Sequence, residues 1–171
     1  MSHTVTVKSD VRDHAALARA AQALGGSVIG PGMHRLFETS ETGFAVSLPG
    51  WRFPIVAKPD GAMAYDDYKG RWGDVAQLTE LRKRYVIEVA AAACEQQGWY
   101  TEIAADGTLT AHLPGGGTVT VEPTGTIDVA CVEGQSCVDL TAPLEAALGI
   151  VSERTLKPEY ALERAKVSNG S

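Results

Sequence analysis

The sequence predicts an α+β protein with a mainly antiparallel sheet, and three observations support this fold class. Short stretches with strand-like alternation are separated by turn residues, which is typical of strands joined by hairpins. One long amphipathic stretch, about residues 74–98, predicts a central helix. Strands and helices do not alternate as they do in a doubly wound parallel sheet. We therefore expect hairpins to build the sheet and the long helix to pack on one face.

The N-terminal part combines a strand, a helix and several short strands. Residues 4–7 alternate with the period of a half-buried strand. Asp13 can cap a helix by accepting from first-turn amides, and Gly25-Gly26 can end that helix. Three apolar stretches then predict strands, with Pro59-Asp60-Gly61 as the turn before the last one: residues 44–48, 53–56 and 63–65.

The long helix has a recognisable start and end. Asp74 and Gln77 have capping-box spacing, with Asp74 at the N-cap position. Gly98 is a typical stop signal. Between them, apolar residues recur at helical spacing and predict one buried side: Leu78, Leu81, Tyr85, Val89 and Ala92.

Beyond Gly98 the pattern returns to hairpins. Asp106-Gly107 lies between two strand-like stretches and is the strongest short hairpin signal in the chain. Residues 114–117 predict a hairpin loop or a short linker, and a second hairpin turns at Pro123-Thr124-Gly125.

A third helix and a last strand complete the predicted C-terminal unit. Ser136 and Asp139 have capping spacing, although Pro143 must kink this helix or delay its start. Residues 150–155 predict the last strand. We expect an α+β domain at 1–113, a small ββαβ unit at 117–160 and a tail at 161–171.

Charge and composition exclude some classes of function. The formal net charge of -6 repels phosphate backbones, so nucleic-acid binding is disfavoured. The N-terminus shows no apolar signal region and no stretch is long enough to span a bilayer, so we expect a cytoplasmic protein without membrane contact. Three cysteines argue against a disulfide framework, although pairing of Cys131 with Cys137 stays open.

Catalytic and metal-binding signals are weak. The chain contains no recognised catalytic motif and no cofactor motif, so we expect no cofactor. Cys137 would lie at the start of the third helix, where a thiol pKa falls, but packing of a small side chain is the alternative. A metal site formed by His3, His112 and Cys131 is a further alternative, although their spacing matches no standard ligand set.

Aromatic and basic residues are concentrated in one short stretch. Tryptophan, tyrosine and arginine are the residues enriched at binding hot spots. Some of these aromatic rings could instead fill the core beneath a hairpin. The predicted partner-binding residues are Trp51, Arg52, Tyr68, Arg71 and Trp72.

Two resemblances to known families follow from longer stretches. The first rests on Met1-Ser2-His3, residues 48–56 (LPGWRFPIV), residues 65–74 (YDDYKGRWGD) and residues 84–88 (RYVIE). Together they resemble a bacterial and plastid family called hypothetical chloroplast reading frame thirty-five, or domain of unknown function twelve fifty-seven, over residues 1–113. The second rests on residues 134–141 (GQSCVDLT), 144–149 (LEAALG) and 158–160 (PEY), which resemble domain of unknown function twenty-nine ninety-seven.

These resemblances imply that the two domains work together, but they imply no chemical reaction. The two domains are often encoded as neighbours, near an AAA-type ATPase and sometimes a ferredoxin, so their fusion implies that they work together. If the protein is plastid-encoded, the resemblance implies a location in the plastid stroma instead of the cytoplasm. We expect a non-enzymatic adaptor or accessory protein that binds a protein partner, with the ATPase as a candidate. The alternatives are a cysteine-dependent redox or transferase enzyme and a small-molecule or nucleotide binder.

Overall fold

The computed structural model describes residues 4–7, 11–130, 142–144 and 146–147. Strands and helices are numbered in chain order. They are β1 (Thr4–Val7), α1 (His14–Ala23), β2 (Ser27–Arg35), β3 (Ser40–Ser47), β4 (Ile55–Ala57), β5 (Met63–Asp66), α2 (Val75–Gln96), β6 (Tyr100–Ile103), β7 (Leu109–His112), β8 (Thr118–Val121) and β9 (Ile127–Ala130). Antiparallel sheets and a long helix confirm the predicted α+β class.

The chain divides into two compact units, and the boundary between Glu88 and Val89 lies within α2. The first unit contains a five-stranded sheet with strand order β1-β5-β4-β3-β2. The second contains a four-stranded sheet with strand order β6-β7-β8-β9. All pairs in both sheets are antiparallel. The predicted division at residues 113 and 117 stays a prediction.

Helix α1 forms as the sequence predicts. The Asp13 carboxylate accepts from the backbone N–H of Ala16 at 3.0 Å and satisfies one donor of the first turn. Alanine and leucine side chains at helical spacing are fully buried: Ala16, Leu17, Ala20 and Ala21. Gly25 has φ +82°, and the Gly26 N–H donates to the carbonyl of Ala21 at 2.8 Å, which ends the helix.

Strand β2 was not predicted, because Gly30-Pro31-Gly32 is typical of a turn. In the structure these residues lie inside the strand, with φ +106° at Gly30 and +140° at Gly32. The pairing with β3 shifts register between Val28 and Gly30, which indicates a bulge. β2 is at the edge of the sheet, where proline is tolerated because its missing N–H interrupts no ladder.

The remaining strands of the first unit overlap the predicted stretches, although β3 begins earlier, at Ser40, and β4 begins later, at Ile55. β3, β4 and β5 pair in succession, and every residue of β4 and β5 is buried. The Lys58 N–H donates to the Ala62 carbonyl at 2.8 Å across the predicted Pro59-Asp60-Gly61 turn. These buried strands lead directly to the segment 67–73, which carries most of the predicted site.

Helix α2 begins with half of the predicted capping box. The Asp74 carboxylate accepts from the Ala76 N–H at 2.9 Å, as an N-cap should. The Gln77 side chain does not complete the box, because its Oε1 accepts from the indole Nε1–H of Trp51 at 2.8 Å. The helix has 22 residues, which span about 33 Å. Gly98, with φ +76°, follows its end as predicted.

The second unit is built from the predicted hairpins. The Ala104 N–H donates to Thr108 across the Asp106-Gly107 turn at 2.9 Å. The next loop closes where the Leu113 N–H donates to Gly117 at 3.1 Å, so residues 114–117 form the hairpin loop between β7 and β8. The fully buried side chains of this sheet alternate along its strands: Leu109, Ala111, Val119, Val121 and Ile127.

Several predicted C-terminal features lie outside the described residues. These are the Ser136 cap and the last strand at 150–155. Residues 142–144 and 146–147 are helical, within the predicted third helix. Leu144 in this stretch is fully buried.

Candidate partner-binding surface

Four of the five predicted binding residues meet at one place in the first unit. Tyr68 and Trp72 stack with ring centroids 4.6 Å apart and planes at 23°. Arg52 lies over the Trp72 ring at 5.4 Å, and Arg71 lies over the Tyr68 ring at 5.3 Å. The fifth, Trp51, is 8% exposed and points into the core.

Two phenylalanines complete this group of side chains. Phe37 lies 4.7 Å from the Trp72 ring centroid, and Phe53 contacts the same ring edge-on at 5.3 Å. We call the six residues the aromatic-basic cluster: Phe37, Arg52, Phe53, Tyr68, Arg71 and Trp72. Phe37 is 40% exposed, so the cluster presents apolar area at the surface.

Sequence analysis did not identify Phe37 or Phe53 as site residues. Phe53 belongs to the apolar stretch interpreted as a strand, but strand β4 begins only at Ile55. Phe37 is far from the other members in sequence and follows β2, the strand that was not predicted. Its N–H donates to the buried Asp66 carboxylate at 3.3 Å, at the end of β5. Only the order of the strands in the folded sheet brings Phe37 to the cluster, so no sequence pattern indicates it.

A tight backbone turn holds the cluster in place. The Asp67 carbonyl accepts from Gly70 at 3.0 Å and from Trp72 at 2.9 Å, while the Tyr68 carbonyl accepts from Arg71 at 3.1 Å. The Arg52 N–H donates to the Trp72 carbonyl at 2.8 Å and joins the turn to the segment after β3. This turn is therefore hydrogen-bonded both internally and to the neighbouring segment.

The turn contains two consecutive residues in the left-handed region that are not glycine. Tyr68 has φ +44° and Lys69 has φ +55°, followed by Gly70 at +89°. Such conformations cost on the order of 1–3 kcal/mol and occur most often at functional sites. The stacking of Tyr68 on Trp72 offsets part of this cost. The strain therefore gives a reason, independent of composition, to examine this surface for function.

The buried Trp51 supports the cluster from below. Its indole donates to Gln77 at the start of α2, and its ring packs edge-on against Tyr65 with centroids 5.9 Å apart. Gly73 lies directly against the Trp51 ring, where any Cβ would overlap ring atoms. Trp51 thus has a structural position that fixes the distance between the turn and α2.

The cluster is rich in positive charge that has no partner among the described residues. Arg52, Lys69 and Arg71 are exposed, and no carboxylate in the described part of the chain lies within ion-pair distance of them. Other cationic side chains do have such partners: Arg19 and Arg84 with Glu88, Lys58 with Glu41, and Lys83 with Glu80. Arg52, Lys69 and Arg71 therefore place three exposed positive charges in this region of a chain of net charge -6, with Asp67 and Asp74 of the same segment beyond ion-pair distance.

A shallow depression of about 260 Å³ lies beside the cluster. Pro49, Gly50 and Gln77 line it together with Arg71 and Asp74. Enclosed pockets for drug-sized ligands usually measure about 300–1,000 Å³. The depression therefore fits the edge of a docking surface better than an enclosed small-molecule site.

The metal and cysteine alternatives remain hypotheses. His3, Cys131 and Cys137 lie outside the described residues. His112 is on strand β7, where its Nε2 lies 3.1 Å from Glu102 and its ring lies beside Tyr100. Within the described part of the chain, no three potential metal ligands come together.

The third cysteine, Cys94, is buried. Cys94 is a free thiol on α2 with no exposed surface, and burial raises its pKa to about 11. A thiol with so high a pKa is a poor nucleophile near neutral pH. Cys94 therefore has a packing role in the second unit.

Comparison with known proteins identifies one domain. Residues 118–161 match the model of a family described as a protein of unknown function, DUF2997, which is the second family that the sequence resembles. The resemblance of residues 1–113 to the chloroplast reading-frame family is not supported by this comparison. No curated protein and no solved structure matches the chain significantly.

The chain is thus an α+β protein in which residues 118–161 are similar to the DUF2997 family. Among the described helices, none is both long enough and apolar enough to cross a membrane.

Proposed function

We propose that the protein is a non-enzymatic accessory protein that binds a protein partner through the aromatic-basic cluster. The observation that carries the proposal is the pair of exposed arginines, Arg52 and Arg71, lying over the aromatic rings of Trp72 and Tyr68. Neither arginine has a carboxylate partner among the described residues. Such a surface combines apolar area with unused hydrogen-bond donors.

The residue types fit the energetics of protein interfaces. Binding hot spots are enriched in tryptophan, tyrosine and arginine because these side chains bury a large area and also make directed polar contacts. The turn at 67–73 is hydrogen-bonded, so little conformational entropy is lost when a partner binds. The cluster is therefore preorganised for binding.

The partner suggested by the family resemblance is an AAA-type ATPase. This finer proposal rests on the resemblance and on the small domain at 118–161, since domains of the two families are often encoded near such an ATPase. A physical association would have to use a surface of this chain, and the aromatic-basic cluster is the candidate.

The test is affinity capture with the full chain as bait, followed by quantitative mass spectrometry. Wild type is compared with an Arg52→Ala/Arg71→Ala double variant. The matched control is Arg35→Ala/Arg82→Ala, which removes two arginines that are also exposed and also lack a carboxylate partner among the described residues. Melting temperatures are measured for all three proteins.

We expect at least one partner to be recovered by wild type and control and lost with the cluster variant, at similar melting temperatures. An exposed cation–π contact contributes only about 0.5–1 kcal/mol, so the fold should tolerate the change. Equal recovery with all three baits would show that the cluster is not the binding surface.

A further inference from the structure

We infer that the aromatic-basic cluster takes an acidic, extended peptide segment that carries an apolar side chain beside its carboxylates. This inference rests on the proposed function and adds the chemistry of the partner. Three features lead to it: the unpaired charges, the arrangement of the guanidinium groups and the exposed edge at Phe37.

The first feature is the uncompensated charge. Arg52, Lys69 and Arg71 are three exposed cations within one turn and the segment that it contacts. The carboxylates of the described residues lie beyond ion-pair distance of all three. Although Asp67 and Asp74 lie in the same segment, the three cations keep guanidinium and ammonium donors that a carboxylate of a partner can reach.

The second feature is the position of the guanidinium groups over aromatic rings. Arg52 lies 5.4 Å from the Trp72 centroid and 5.7 Å from the Phe53 centroid, and Arg71 lies 5.3 Å from the Tyr68 centroid. A guanidinium held over a ring keeps N–H groups at its rim, where they can donate to a carboxylate in bidentate fashion. Because both arginines are already ordered in the free protein, less conformational entropy is lost when a ligand binds.

The third feature is the apolar surface beside these donors. Phe37 is 40% exposed, and the Trp72 ring beneath it is half-buried. An apolar side chain of a partner can cover Phe37 while the neighbouring carboxylates reach the arginines. The site therefore favours a mixed acidic and apolar segment over a purely acidic one.

The same geometry disfavours single-stranded nucleic acid. Base recognition requires aromatic faces on which bases stack. Here Tyr68 stacks on Trp72 at 4.6 Å, and both rings also carry an arginine. A phosphate chain that extends beyond the cluster would in addition meet the net negative charge of the protein.

The test uses the full chain and three fluorescein-labelled probes, followed by fluorescence anisotropy. The first probe is a short peptide with glutamates on both sides of one leucine, the second has glutamines in place of the glutamates, and the third is an oligothymidylate of similar length. We expect the acidic peptide to bind about tenfold or more tightly than the glutamine peptide, since a hydrogen bond to a charged acceptor is stronger than one to a neutral amide.

Variants show whether binding occurs at the cluster. We expect Arg52→Ala/Arg71→Ala to bind the acidic peptide at least tenfold more weakly than wild type does. The control Arg35→Ala/Arg82→Ala should bind it as wild type does. Equal affinity for the glutamine peptide, tighter binding of the oligothymidylate, or unchanged binding by the cluster variant would each overturn the inference.

A second measurement needs no variant. Trp51 and Trp99 are 8% and 9% exposed, so the more accessible Trp72 should dominate collisional quenching of tryptophan fluorescence. Near the unpaired cations, the ratio of iodide to caesium quenching should exceed the ratio for free N-acetyltryptophanamide, and the acidic peptide should lower it. A ratio in the free protein no higher than that of the free derivative would contradict an excess of positive charge around Trp72.

The two proposals can fail separately. If the acidic peptide does not bind while capture still depends on Arg52 and Arg71, the inferred partner chemistry is wrong and the proposed function stands. If capture is independent of the cluster, the proposed function fails, whatever the peptide does.

Discussion

Gly73 is the residue on which the close approach of the binding turn to Trp51 depends. Its φ is not in the left-handed region, so backbone strain does not explain the glycine. The Trp51 ring occupies the space that a Cβ would need. The absence of a side chain at residue 73 thus lets a buried tryptophan support the turn.

We predict that Gly73→Ala destabilises the protein by about 1–3 kcal/mol, because forced overlap in a packed region costs that much. The measurement is the free energy of unfolding from urea titration. In a Trp51→Leu background the cost should fall, since the overlapping ring is gone. An equal cost in both backgrounds would show that Gly73 is needed for another reason.

Cys94 gives a second prediction at this scale. Because burial raises its pKa to about 11 from the ordinary thiol value of 9.0, the folded state favours the neutral thiol. The resulting stabilisation is present below the unfolded thiol pKa and is lost as pH rises toward 11. We expect iodoacetamide at pH 8 to leave Cys94 unlabelled in the native protein and to label it after unfolding, as read by peptide mass spectrometry.

Rapid native labelling of Cys94 at pH 8 would contradict its burial. The same experiment reports on Cys137. Fast, selective labelling of Cys137 near neutral pH would favour the cysteine-dependent enzyme over the accessory protein.

At the scale of the elements, Tyr85 on α2 joins the long helix to the start of α1. Its hydroxyl oxygen accepts from the backbone N–H of Arg12 at 3.2 Å and of Asp13 at 3.1 Å. These donors lie just before the first turn of α1, where a helix supplies no backbone acceptor. The side chain itself is 2% exposed, so the hydrogen bonds are protected from water.

We predict that Tyr85→Phe costs about 1–3 kcal/mol of unfolding free energy, because partly buried amide donors lose their acceptor. Packing is nearly unchanged, since only the hydroxyl is removed. Amide hydrogen exchange at Arg12 and Asp13 should quicken selectively. Unchanged exchange there would mean that the hydroxyl is not their main acceptor.

Local sequence signals were sufficient for most elements of the fold. Asp13 and Gly25-Gly26 mark the ends of α1 correctly, and Asp106-Gly107 marks a real hairpin. These signals work because caps and turns depend on the residues themselves. Strand β2 was missed because its proline and glycines are tolerated only at a sheet edge, which is a property of the pairing and not of the local sequence.

The candidate site could be predicted only in part, for the same reason. Composition indicated Arg52, Tyr68, Arg71 and Trp72, which do come together. Composition could not distinguish the buried Trp51 from these surface residues. The burial of Trp51 depends on a hydrogen bond to Gln77 and on the space left by Gly73. Gln77 was itself interpreted as a capping residue, since its spacing from Asp74 does not reveal a competing tertiary donor.

For the whole molecule, the two units raise the question of which parts fold independently. The family match begins at residue 118, where β8 starts, yet β8 pairs with β7 on one side and with β9 on the other. A fragment of residues 117–171 would lose β7 and expose one edge of β8.

We predict that this fragment shows no cooperative thermal transition by circular dichroism. A cooperative transition as stable as that of the full chain would contradict this.

The central claim is that a protein partner contacts the aromatic-basic cluster. The most direct measurement is hydrogen-exchange mass spectrometry of the full chain, with and without the partner that wild type recovers most strongly. We expect new protection at residues 67–73 and around Arg52 and Phe37, with the β6–β9 sheet unchanged. Protection confined to that sheet, with residues 67–73 exchanging as in the free protein, would show that the partner does not bind at the cluster.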